Sequence, residues 1–129
     1  MTISVNWKFQ AAVQGGPNLA ADQPPINVAA YDVIQATIPA TTPTFTVHVQ
    51  PITATGQLLF FALTSDKYDA GLTYTVNASA TVHTLDGPLL LIGGGAVGLL
   101  DAAPPQTLTL GNTLAAPANI QILVGRKDP

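Results

Sequence analysis

Polar and apolar residues alternate with a period of two along much of this chain, the spacing that turns one face of a strand inward and the other outward. The clearest run opens the sequence, with Ile3, Val5, Trp7 and Phe9 on one face and Ser4, Asn6, Lys8 and Gln10 on the other. It predicts a half-buried strand whose Trp7 belongs to the core. Gln14-Gly15-Gly16-Pro17-Asn18 ends that strand, and Asp22-Gln23-Pro24-Pro25 extends a loop able to cover an edge or reach a neighbour.

Val28 to Ile38 reads as a second strand, with Ile34, Ala36 and Ile38 in phase and Pro39 stopping it. Phe45, Val47 and Val49 alternate with Thr44, Thr46, His48 and Gln50 in a third, bounded by Pro43 and Pro51. Each proline removes a ladder donor and fixes its own φ. Leu58 to Leu63 is continuously apolar, which predicts burial on both faces, by two sheets or by a partner chain. Leu72, Tyr74 and Val76 alternate again, followed by Ala80 and Val82.

His83-Thr84-Leu85-Asp86-Gly87 has the form of a strand entering a hairpin turn, although Pro88 restricts Gly87 and cannot donate to a ladder. Leu89 to Ile92, Thr107 to Leu110 and Ile120 to Val124 complete the series. No segment of helical length keeps a 3.6-residue period, and only a turn or two fits around Ala96 to Leu100. The expected fold is all-β, a sandwich or jelly roll of about eight or nine short antiparallel strands. No repeat or linker divides the chain, so one domain is expected over residues 1–129.

Composition changes the picture of the surface. Only 9% of residues are charged, against about a quarter in an ordinary soluble domain, while 47% are hydrophobic. Mean hydropathy is +0.36. A monomer so poor in charge would carry a surface that invites association. The acidic residues are all aspartates, which favour turns over helices. With Lys8, Lys67, Arg126 and Lys127 as the only full-time cations and a net charge of −3, nucleic acid is not an expected partner. Arg126 and Lys127 read as a solvated tail.

There is no cysteine, so disulfides, thiolate metal sites and a cysteine nucleophile are excluded. The N-terminus lacks the basic start and apolar run of a signal peptide, and synthesis in the cytoplasm without a cleaved signal is expected. The longest apolar stretch, Leu89 to Leu100, is about a dozen residues against the roughly 20 that span a bilayer, so no membrane span is expected.

Gly93-Gly94-Gly95-Ala96-Val97-Gly98 fits the dinucleotide pattern G-x-G-x-x-G after an apolar strand. A nucleotide site also needs a proper helix in a βαβ unit and an acidic residue about 20 positions on. Pro104 and Pro105 cut any helix short and no acidic residue falls at 115–120, so these glycines read as a turn or bulge at a close approach, and no cofactor is expected. His48 and His83, the only histidines, lie in separate strands and would hold zinc only if the fold joined them near a carboxylate.

Ser65-Asp66-Lys67-Tyr68-Asp69-Ala70-Gly71 lacks the ordered oxygen ligands of a calcium loop and reads as a charged turn. No G-x-S-x-G accompanies the three serines, and no pair of aspartates is evidently cleft-forming. Asn77-Ala78-Ser79 is formally a glycosylation acceptor and reads as chance.

With no catalytic or metal set in view, the expected role is a non-enzymatic structural subunit of a symmetric assembly. At the level of architecture alone the chain resembles small β-sandwich virion proteins, and a phage capsid decoration or tail accessory protein is the concrete expectation. Its partners would be further copies of itself and other subunits of the particle. Gly93, Gly94, Gly95, Val97, Leu99 and Leu100 are the candidate subunit interface, with the loop from Gly15 to Pro25 beside them. The alternative is a carbohydrate-binding module or lectin that stacks sugar on Tyr31 and Tyr68.

Overall fold

The structure is a computed structural model that describes residues 2–50 and 57–127. Pro51, which bounds the third predicted strand, lies outside the described residues. Twelve strands are formed among them: β1 Ile3–Val5, β2 Phe9–Ala12, β3 Asn18–Ala21, β4 Ile26–Val28, β5 Ala30–Ile38, β6 Thr42–His48, β7 Leu58–Ser65, β8 Leu72–Val76, β9 His83–Thr84, β10 Leu89–Ile92, β11 Thr107–Asn112 and β12 Ala118–Arg126. A single helical turn, α1 Gly94–Val97, follows β10.

From β5 onward the pairing runs inward from the two ends: β5 with β12, β6 with β11, β7 with β10 and β8 with β9, all antiparallel. Rolling that long ribbon also pairs β7 with β12 and β8 with β11, which yields two four-stranded sheets ordered β10-β7-β12-β5 and β6-β11-β8-β9. This is the eight-stranded jelly roll.

Alternation explains the core. Ile38 of β5, Leu63 of β7 and Ala118, Ile120, Ile122 and Val124 of β12 face Val47 of β6, Leu108 and Leu110 of β11, and Leu72, Tyr74 and Val76 of β8. Each fully buried large side chain contributes on the order of 1.5–3 kcal/mol. In β7 the register slips opposite Gly125 and Arg126, so Leu59 is bulged out of step. Leu58 and Phe61 therefore both join the inner core, while Phe60 points outward and is buried beneath Val28 of β4. The run is thus covered by its own chain on the inner face and, at Phe60, on the outer face, where Ala62 is only half-buried, with β4 held by pairing to β1.

Several sequence expectations are corrected here. The opening strand breaks after Val5, and Trp7 is half-buried outside the main core, its Nε1 donating to the Pro24 carbonyl at 2.8 Å. The loop after Gln14 contains a strand, β3, which pairs with β2. Thr42 and Pro43 begin β6 instead of preceding it, which the fold allows because β6 is an edge strand. Asp86-Gly87 joins β9 in one sheet to β10 in the other, so it is a sheet-to-sheet crossing, anchored by buried Leu85. Ala80 and Val82 fall in the loop between β8 and β9, and Val82 is exposed. Arg126 is no tail: it ends β12 and forms an ion pair with Asp32.

Candidate functional site

Two surfaces depart from the rule that a strand shows polar residues to water. The first is the hairpin of β2 and β3, whose eight residues are all exposed and pair only with each other. Its register sets Phe9 opposite Ala21 and Ala11 opposite Leu19, so one face is wholly apolar. Leu19 is 65% exposed and Val13, at the turn, 63%. The turn closes through Val13 N to the Pro17 carbonyl and Gly16 N to the Val13 carbonyl, with Gly15 at φ +73, where glycine carries no Cβ penalty. No charged residue occurs from Phe9 to Ala21. At its root, Trp7, Phe9 and Ala21 face Pro88, Leu90 and Ile92 across a groove of about 390 Å³.

The second surface is the outer face of the β10-β7-β12-β5 sheet. Cross-strand register places Val33, Leu123, Ala62 and Leu90 in one row spanning all four strands. Val33 is 53% and Leu90 41% exposed. On one side of this row Phe60 is covered by Val28. On the other the face turns polar: Gln35, Gln121 and Thr64, then Thr37, Asn119 and Asp66, floor a groove of about 550 Å³. The Asp66 carboxylate accepts from Asn119 N at 2.9 Å and Asn119 Nδ2 at 3.0 Å, and the Thr37 hydroxyl donates to Asn119 Oδ1 at 2.8 Å. The Asn119 backbone bond is the main cause that holds the Asp66 carboxyl below its ordinary range.

The residues singled out in the sequence fare differently. Val97 is buried in the core of its own chain, because α1 folds it back against β7, so it is not available to a partner. Leu100 packs half-buried on the same core, whereas Leu99 is exposed. Gly93 has φ +95 and Gly95 faces open space, but Gly94 lies tight against the Gln57 side chain. Tyr31 and Tyr68 do not converge. Tyr31 stands on β5 opposite Gly125, at one end of the sheet. Tyr68 lies in the loop after β7 at the other end, its hydroxyl accepting from Ser65 N.

His48 and His83 lie on the two opposite edge strands of the β6-β11-β8-β9 sheet, separated by three strand gaps of about 4.8 Å and out of register by three residues, His48 beside Thr107 and His83 in the row of Tyr74 and Leu110, and His83 stacks on Tyr74. Among the described residues no three His, Cys, Asp or Glu side chains group as metal ligands, and no helix is long and apolar enough to cross a membrane. Asn77 is built into the fold: its Nδ2 donates to Asp101 and the Pro104 carbonyl, and its Oδ1 accepts from Gln106 N.

The hairpin is the feature that sequence reading missed. Its signal was present as Phe9, Ala11 and Val13 alternating on one side of Gly15-Gly16 and Leu19 and Ala21 on the other, a glycine pair between two alternating runs. No family model, curated protein or solved structure matches this chain.

Proposed function

We propose that this chain is a non-enzymatic structural subunit of a symmetric, multi-copy assembly, of the kind that decorates a phage capsid or serves as a tail accessory, and that it resides on the assembled particle. The observation that carries this reading is the β2–β3 arm. A two-stranded hairpin that pairs with no further strand and meets the body of the fold across a groove at its root is marginal in water, and this one shows an uncharged apolar face. Such an arm gains its stability from a surface it docks on. The low charge content agrees, and jelly rolls are at home in viral capsids, although that is likeness of architecture only.

The test is sedimentation velocity of the purified chain at micromolar concentration, beside a variant whose residues 10–20 are replaced by a short Gly-Ser turn. The native chain is expected to run heavier than 13.3 kDa or to bind a pre-existing shell or tail, and the variant to do neither. A soluble monomer that binds no particle contradicts the proposal.

A second reading, glycan binding, is favoured by one observation: the groove of amides and hydroxyls from Gln35, Thr37, Thr64, Asn119 and Gln121, with Asp66 in its floor and Ser65, bonded to Tyr68, at its lip. Sugar retention on a glycan array, lost in Tyr68→Ala or Gln121→Ala, would support it; no retention rejects it.

A further inference from the structure

We propose that two copies of this chain exchange arms about a two-fold axis, the apolar face of each β2–β3 hairpin lying on the Val33, Leu123, Ala62 and Leu90 row of the other copy. The inference rests on the assembly reading above and names its partner and its contact. Both surfaces are apolar and carry no charge, so neither leaves a desolvated ion when they meet. Their sizes match. Four paired residues make the arm about 14 Å long, and a row across four strands spans three gaps of about 4.8 Å, again about 14 Å.

The surfaces are also continuous. The groove at the arm's root ends on Leu90, the first residue of the row, so a second arm laid on the row extends an apolar floor that the chain has already begun. The chain's own arm reaches the row only at its Leu90 end, across the root groove, and leaves the rest uncovered, with Val33 53% exposed and Leu123 and Ala62 half-buried. On the far side Gln35, Gln121 and Thr64 supply the polar, uncharged rim that interfaces usually have. One arm on one row is a small contact. A two-fold axis makes it twice, so Phe9, Ala11, Leu19 and Ala21 of the arm and the four residues of the row are covered on each copy, fewer than the roughly 20–30 residues a side of a standard interface and the size of a weak dimer that forms as concentration rises.

The test uses full-length chains with Leu19→Asp on the arm or Val33→Asp on the row; Leu90→Asp, on the opposite edge strand, repeats the row test, and near-UV circular dichroism checks that each variant keeps its fold. The native chain should sediment as a dimer, and each variant alone should associate at least about a hundredfold more weakly. An equimolar mixture of Leu19→Asp and Val33→Asp should form heterodimers tighter than either variant alone and weaker than the native dimer, because one of the two contacts is restored when the intact arm of Val33→Asp meets the intact row of Leu19→Asp. A mere loss of fold cannot produce that rescue. Folded variants that stay fully associated, or a mixture without heterodimers, overturn the exchange while leaving the assembly reading in place. A native chain that remains monomeric at about 100 µM overturns the exchange alone if it still docks on a foreign particle, and both readings if it does not.

Discussion

Val28 of β4 lies directly over Gly125 of β12, and a Cβ added at Gly125 would stand 2.7 Å from Val28 Cγ1 and 3.4 Å from Phe60 Cβ. The glycine lets β4 close over the outer face and bury Phe60. Gly125→Ala is therefore expected to destabilise the fold by about 1–3 kcal/mol through overpacking. Urea denaturation measures it, and pairing the change with Val28→Ala should recover part of the loss, since the clashing methyl is gone. Additive effects of the two substitutions would contradict the contact.

Asn112 ties the end of β11 to the turn between β5 and β6. It is fully buried; its Nδ2 donates to the carbonyls of Ile38, Pro39 and Ala116, and its Oδ1 accepts from Leu114 N. Asn112→Leu removes these partners at once and is expected to cost about 2–4 kcal/mol, because the stranded carbonyls stay buried. A midpoint shift within error in chemical denaturation would contradict this.

Two groups give the stability curve opposite slopes. Burial, and secondarily the charge of Asp86, raise the Tyr74 phenol above 10.0, so the stabilisation it reports is complete below pH 10 and is lost as pH rises through the folded value. Asp66, held below 3.8 first by the Asn119 N–H, contributes stability that is present above that value and lost as pH falls through the folded one. Melting temperatures of Tyr74→Phe should decline less steeply than those of the native chain above pH 10, and those of Asp66→Asn less steeply below pH 4. Unchanged slopes would contradict both assignments.

Trp7 is the single tryptophan and lines the groove at the arm's root. Its emission is expected to shift to shorter wavelength as protein concentration rises, because a docked second arm removes water beside it. In Leu19→Asp the spectrum should not change with concentration.

The inner faces of the jelly roll were legible in the sequence because alternation of Ile34, Ala36 and Ile38, or of Leu72, Tyr74 and Val76, is a local property. What stayed hidden depends on contacts far apart in the chain. The bulge at Leu59 follows from register against β12. The crossing at Asp86-Gly87 follows from which sheet β10 joins, and the separation of Tyr31 from Tyr68 follows from strand order. Of the candidate interface at Gly93 to Leu100, Leu99 keeps an exposed apolar side chain, while Val97 is drawn inward by α1. The row of Val33, Leu123, Ala62 and Leu90 belongs to four different strands and has no linear signature.

The most direct measurement is hydrogen exchange of the arm amides, residues 9–12 and 18–21, followed at about 1 µM and about 100 µM protein. If the arm docks on a further copy, its exchange slows markedly at the higher concentration while β7 and β12 remain equally protected at both. Arm amides that exchange rapidly and at one rate across that range, beside a protected core, would contradict the claim that the arm is built for assembly with further copies of this chain.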